Sequence, residues 1–158
     1  MKIAFIGIGN VGSALASSLA DLGHEVLVAA HNPNSDSVKA ALANNPALNA
    51  KSVPEAVSEA DVVFLATPFA ANEVALKSAG PLVGKTLVDC TNPVGPGLTH
   101  GLKNEMSGGE YVQNLVPEAN VVKAFTIYGY ENFADTDYPG YGDLKPAMLI
   151  AGNDTVSY

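Results

Sequence analysis

Arginine and tryptophan are absent from this 158-residue chain, and cysteine occurs once, as Cys90. A single cysteine excludes a disulfide framework and a zinc site built on cysteines. Without arginine there is no planar fork for phosphate. Any phosphate must rest on backbone N–H groups, lysine, histidine or short polar side chains. Basic residues are scarce: eight lysines face sixteen carboxylates, for a formal net charge of −8. Nucleic acid needs a basic face, and so does an anionic membrane surface, so neither is an expected partner. No apolar run approaches the roughly 20 residues of a membrane helix. The opening Met1–Gly7 meets glycine too soon to read as a signal peptide. Charged residues are few, at 15%, against 47% hydrophobic, which excludes a disordered chain. The length suits one domain with its own core, and a reducing cytoplasm is the expected location.

Glycine is well supplied, and its first cluster is informative. Lys2–Ile6 reads as a short apolar strand that runs into Gly7-Ile8-Gly9-Asn10-Val11-Gly12. From Ser13 to Leu22, helical spacing relates Val11, Leu15, Leu19 and Leu22, and Gly23 closes the segment. Glu25–Ala30 reads as a second strand. A G-x-G-x-x-G between a strand and a helix is a dinucleotide-binding turn. The first glycine permits the tight turn, the second lets a pyrophosphate approach the backbone, and the third lets helix pack on strand. The helix N-terminus then offers N–H groups and a positive dipole end to phosphate.

Which dinucleotide is bound depends on the end of the second strand. A carboxylate there holds the ribose of NAD and repels a 2′-phosphate. Here the segment is Ala29-Ala30-His31-Asn32-Pro33-Asn34-Ser35, with no carboxylate before Asp36. NADP is therefore the expected cofactor, with His31, Asn32, Asn34, Ser35 and Lys39 as available phosphate donors.

The remaining chain alternates strands and helices. A helix is expected from Ser35 or Asp36 to Asn45, and a short strand at 50–52. Ser52-Val53-Pro54-Glu55 has capping-box spacing before a short helix to Ala60. Strands follow at 61–67, 86–90, 120–126 and 146–152, with helices at 70–79 and, in part, 107–116. A tyrosine-rich acidic loop from 127 to 144 carries Tyr128, Tyr130, Tyr138 and Tyr141. This alternation predicts an α/β fold, a doubly wound and mostly parallel sheet. Ligands of such sheets lie beyond the carboxyl ends of the strands. The loops at 7–12, 31–35, 67–69, 91–97 and from 126 onward should therefore meet in one crevice. Thr67-Pro68-Phe69 and Asn92-Pro93-Val94 are expected to shape its nicotinamide end.

Several of these segments together resemble the NADP oxidoreductases that act on the deazaflavin coenzyme F-420, and their NADPH-dependent reductase relatives. The pieces are Gly7–Gly12, Gly23-His24-Glu25-Val26, 60–68 (ADVVFLATP), 88–93 (VDCTNP), 121–125 (VVKAF) and 151–154 (AGND). The resemblance implies a Rossmann fold over residues 1–158 and hydride transfer between NADPH and coenzyme F-420 or a flavin-like small-molecule acceptor. Family members continue into a further segment that helps build the acceptor pocket, so a C-terminal segment is expected to be missing and turnover by this chain poor. An exposed apolar edge left there favours a homodimer. A pyrroline-carboxylate reductase-like or metalloreductase-like enzyme is the alternative, as is a non-catalytic NAD(P)-sensing module.

The cofactor-binding set is thus Gly7, Ile8, Gly9, Asn10, Val11, Gly12, His31, Asn32, Ser35, Thr67, Pro68, Phe69, Asn92 and Pro93. No side chain is assigned to catalysis, since two redox cofactors carry their own chemistry. Lys123 and Asp89 read as structural, Cys90 as a small core residue, and His100 as a solvated loop residue. His24, His31 and His100 lack metal-ligand spacing, so no metal site is expected.

Overall fold

A computed structural model describes residues 1–133, 140 and 142–154. The sequence readings at Tyr138, Tyr141 and the stretch ending at Tyr158 lie outside the described residues. The elements run β1 (Lys2–Ile6), α1 (Asn10–Asp21), β2 (Glu25–Ala29), α2 (Asp36–Asn44), β3 (Asn49–Lys51), α3 (Val53–Glu59) and β4 (Val62–Leu65). They continue with α4 (Asn72–Ala79), β5 (Thr86–Asp89), α5 (Gly108–Leu115), β6 (Asn120–Lys123) and β7 (Ala151–Gly152).

The sheet order is β3-β2-β1-β4-β5-β6-β7, with every neighbour parallel except β7, which pairs antiparallel to β6. Buried strands alternate between two cores because successive side chains point to opposite faces. Ala4, Ile6, Leu27, Val63, Leu65 and Leu87 pack with residues of α3, α4 and α5 on one face. Ile3, Phe5, Val26, Val28, Phe64 and Val88 pack with residues of α1 and α2 on the other. Phe5 stacks on Phe64 at 4.6 Å, and Phe125 and Phe133 extend this aromatic row. The fold is the doubly wound α/β one expected, with chain order reversing between β1 and β4, where such folds bind ligands.

Four local readings are corrected. The first helix starts at Asn10 and not Ser13, so Val11 and Gly12 lie inside it. Leu22 leaves the core face and is 75% exposed. It ends the helix instead, before Gly23 at φ +86, whose N–H bonds the Ala20 carbonyl while that of His24 bonds Leu19. At Ser52 the hydroxyl meets the Glu55 carboxylate at 3.3 Å and caps no backbone N–H. A complete capping box forms instead at Ser107 and Glu110 of α5. The final strand shrinks from 146–152 to Ala151–Gly152 because only Val122 and Lys123 of β6 pair with it.

Candidate functional site

The carboxyl ends of β1 and β4 meet at Gly7. A Cβ there would lie 2.6 Å from the Ala66 carbonyl carbon and 2.8 Å from the Thr67 nitrogen, and φ is +97. Only glycine fits that approach. Gly12, in the first turn of α1, is packed against Gly7 and the Ala66 methyl. Gly9 differs: a Cβ on it would meet nothing within 4 Å, and its φ of −73 is ordinary. Gly9 is the N-cap of α1, with no side chain capping the helix and no acidic residue in its first turn. Ile8 is buried, Gly9 and Asn10 are exposed, and Val11 is half-buried. The turn thus presents backbone and a positive helix end to open space.

At the end of β2, His31, Asn32 and Asn34 are exposed and Ser35, the N-cap of α2, is half-buried. The Asn32 side chain accepts from the Asn34 N–H at 2.9 Å and folds the loop on itself. His31 reaches across to α4, where its Nε2 lies 2.9 Å from Ser78 Oγ. The Ser78 hydroxyl donates to the Ala75 carbonyl at 2.7 Å. In the tautomer or charge state that carries a proton on Nε2, the imidazole donates to Ser78. No Asp or Glu side chain bonds to this loop among the described residues.

Behind these loops lies a buried hydrogen-bond chain that sequence reading missed in part. Thr67 Oγ1 donates to Asn72 Oδ1 at 2.8 Å, and Asn72 Nδ2 donates to Thr91 Oγ1 at 2.9 Å. The Thr91 hydroxyl donates to Asp89 Oδ1 at 2.7 Å, and its backbone N–H donates to the same oxygen at 2.9 Å. Lys123 Nζ pairs with Asp89 Oδ2 at 3.0 Å and also donates to the Thr91 carbonyl. Asn72 and Asp89 are fully buried and Thr91 nearly so. The chain ties together the ends of β4, β5 and β6. Asn92 Nδ2 adds a bond at 3.2 Å to the Thr126 carbonyl beyond β6. Asp89 accepts a nearby backbone N–H, that of Thr91, as its strand-end setting in the sequence suggested, and Lys123 is its ion-pair partner. Asn72 carried no sequence signal, since an asparagine at a helix start reads as ordinary punctuation.

Pro68 is exposed and Phe69 half-buried, in a single 3-10 turn that leads into α4. The Phe69 ring packs on Tyr111 of α5 at 5.2 Å. Pro93 sits under α5, where a Cβ on Gly108 would lie 3.0 Å from its ring. Beside them opens a cleft of about 830 Å³, bordered by Asn92, Pro93, His100, Glu110, Lys123 and Gly152. His100 is not simply solvated. Its Nδ1 accepts from the N–H groups of Leu102 and Asn104, both at 3.2 Å, and so shapes the loop beyond β5. The Ser107 N–H holds the Glu110 carboxyl below its ordinary range. Cys90 is buried, and burial pushes its thiol up to about 12. No group of three His, Cys, Asp or Glu side chains suited to a metal occurs among the described residues. No helix among them is long and apolar enough to cross a membrane.

The family described as NADP oxidoreductase, coenzyme F420-dependent, matches residues 2–93. The chain belongs to this family. The match contains every residue named above for the cofactor, while most of the cleft wall lies beyond it. Among solved structures, a proposed F420-dependent NADP reductase from Arthrobacter sp. FB24 superposes with a TM-score of 0.88 at 33% identity, covering 99% of this chain and 76% of that one. A hypothetical protein from Sinorhizobium meliloti gives 0.85 at 26%, with the same coverage. The rat metalloreductase STEAP3 is 34% identical over 128 residues, 80% of this chain. A ketol-acid reductoisomerase (NADP(+)) from Bifidobacterium animalis is 46% identical over 67 residues, 42% of this chain. The chain spans 24% and 18% of these two curated relatives.

Proposed function

We propose that this chain serves an NADP-dependent oxidoreductase that passes hydride between NADPH and a deazaflavin (coenzyme F-420) or flavin-like acceptor. The observation that carries the reading is the Gly9 turn. Open space lies over its missing Cβ, while Gly7 and Gly12 are packed solid. The donor set fits a dinucleotide. Backbone from Gly7 to Gly12 would hold the pyrophosphate at the N-terminus of α1. His31, Asn32 and Ser35 would take the ribose 2′-phosphate, in a loop free of carboxylates. Thr67, Pro68, Phe69, Asn92 and Pro93 would border the nicotinamide, and the cleft beside Pro93 would take the acceptor.

When bound, the cofactor supplies the hydride, so the side chains need only align the two rings and exclude water. Positioning of that kind is worth several kcal/mol, roughly 7–11 in favourable cases. The buried chain from Thr67 to Lys123 suits this, because it fixes two walls of the crevice to each other. A cytoplasmic enzyme acting as a homodimer completes the proposal. The dimer is suggested by Ile127, Leu144, Leu149 and Ile150, all about half exposed or more.

The test is calorimetric titration with NADPH, followed by absorbance of NADPH mixed with coenzyme F-420 or FMN. Micromolar NADPH binding is expected, with slow acceptor-dependent oxidation; no NADPH binding defeats the reading. The likeness to the rat metalloreductase favours a second reading, in which the electrons end on a metal ion as substrate. Oxidation that proceeds with a ferric chelate and not with coenzyme F-420 selects it.

A further inference from the structure

The buried chain has a direction. The Asp89 carboxylate accepts the Thr91 N–H on Oδ1 and pairs with Lys123 through Oδ2, so the Thr91 hydroxyl spends its proton on Asp89 Oδ1, 2.7 Å away. Its oxygen then accepts the Asn72 amide N–H at 2.9 Å. That orients the Asn72 carbonyl toward Thr67, whose hydroxyl donates to it at 2.8 Å. Lys123 pairs with the other oxygen, Asp89 Oδ2, from the far end at 3.0 Å. The Thr67 proton is therefore committed inward. What the half-buried Thr67 has left is a lone pair on its hydroxyl oxygen, in a residue just past the carboxyl end of β4 whose backbone nitrogen lies against Gly7.

We infer that Thr67 is a hydrogen-bond acceptor for the carboxamide N–H of the nicotinamide, with Asn72, Thr91, Asp89 and Lys123 as positioning residues that hold its hydroxyl in that sense. The inference rests on the proposed NADP site. A hydroxyl free to rotate would serve a donor or an acceptor equally. Thr67 serves a donor only, and the carboxamide offers one. Fixing that group fixes which way the ring lies, and so which ring face meets the cleft beside Pro93.

The experiment compares binding of NADP+, of its 3-acetylpyridine analogue, and of adenosine 2′,5′-bisphosphate. The analogue keeps the carbonyl and lacks the amide N–H; the bisphosphate lacks the nicotinamide altogether. Wild type should bind NADP+ about fivefold to tenfold more tightly than the analogue, in line with one hydrogen bond. Thr67→Val should bring the ratio to about one, and Thr67→Ser should restore it. Asn72→Ala should also lower the ratio, although Asn72 is fully buried and beyond reach of a ligand. Affinity for the bisphosphate should stay the same in all of them. A wild-type ratio of one, or an unchanged ratio in Thr67→Val, overturns the inference and leaves the NADP site standing. An equal loss of all three ligands in the variants also overturns it, since the role is then one of general structure. If wild type binds none of the three, the NADP site itself is wrong and the inference falls with it.

Discussion

Gly12 is seated on Gly7. A Cβ at position 12 would lie 3.1 Å from the Gly7 carbonyl carbon and 3.3 Å from the Ala66 methyl, closer still to the Gly7 oxygen. A Cβ at Gly9, three residues earlier, would touch nothing. The three glycines of one turn thus have two different jobs, and substitution separates them.

Gly9→Val should fold like wild type and lose NADPH affinity by two orders of magnitude or more, because its side chain fills the space a pyrophosphate needs. Gly12→Val should lower stability by roughly 1–3 kcal/mol or more through overpacking. Calorimetry with NADPH and chemical denaturation of both variants provide the check. Normal NADPH affinity in Gly9→Val would show that no dinucleotide crosses that turn.

At the end of β2, His31→Asp places a negative charge in a loop that has none of its own. NADPH should then bind at least tenfold more weakly and NADH no worse, reversing the preference. Raising the salt to about 1 M, where screening acts within roughly 3 Å, should shrink the reversal. The NADPH-to-NADH ratio of dissociation constants at low and high salt decides it. An unchanged ratio removes His31 from the site.

Lys123→Met leaves the fully buried Asp89 without its cation. The expected loss of stability is about 3–5 kcal/mol. Adding Asp89→Asn to that variant should recover a large part, since no carboxylate then remains unpaired and an amide oxygen still accepts from Thr91. Urea melts of the two single variants and the double variant measure the coupling. Strict additivity would mean that the pair contributes nothing beyond its separate packing.

Cys90 is shielded, chiefly by burial and then by the charge of Asp89, and its thiol rises from an ordinary 9.0 to about 12. The folded state therefore holds this proton between pH 9 and 12, while the unfolded chain releases it. Proton binding is greater in the folded state over that window, so stability falls as pH rises through it. Stability measured against pH should drop less steeply in Cys90→Ala. At pH 8 a thiol reagent should label Cys90 only after unfolding; rapid labelling of folded protein would contradict its burial.

The strand, glycine turn and helix from Lys2 to Asp21 were legible in the residues, as was the alternation that makes the sheet doubly wound. Each depends on neighbours a few positions apart. Glycine alone takes φ near +97 at Gly7. Apolar runs such as 62–65 have few alternatives to a strand buried on both faces. The carboxylate-free loop at His31 was equally plain, because an absent charge needs no geometry to be seen.

Local pattern said nothing of how the loops are joined. Thr67, Asn72, Thr91, Asp89 and Lys123 span 57 positions of sequence, and none of them is distinctive where it stands. They become one hydrogen-bonded chain when β4, β5 and β6 lie side by side and α4 returns over their ends. His31 meets Ser78, 47 positions away, for the same reason. A buried polar group must find a partner wherever the fold supplies one. That partner is chosen by proximity in space, which residue order along the chain does not encode.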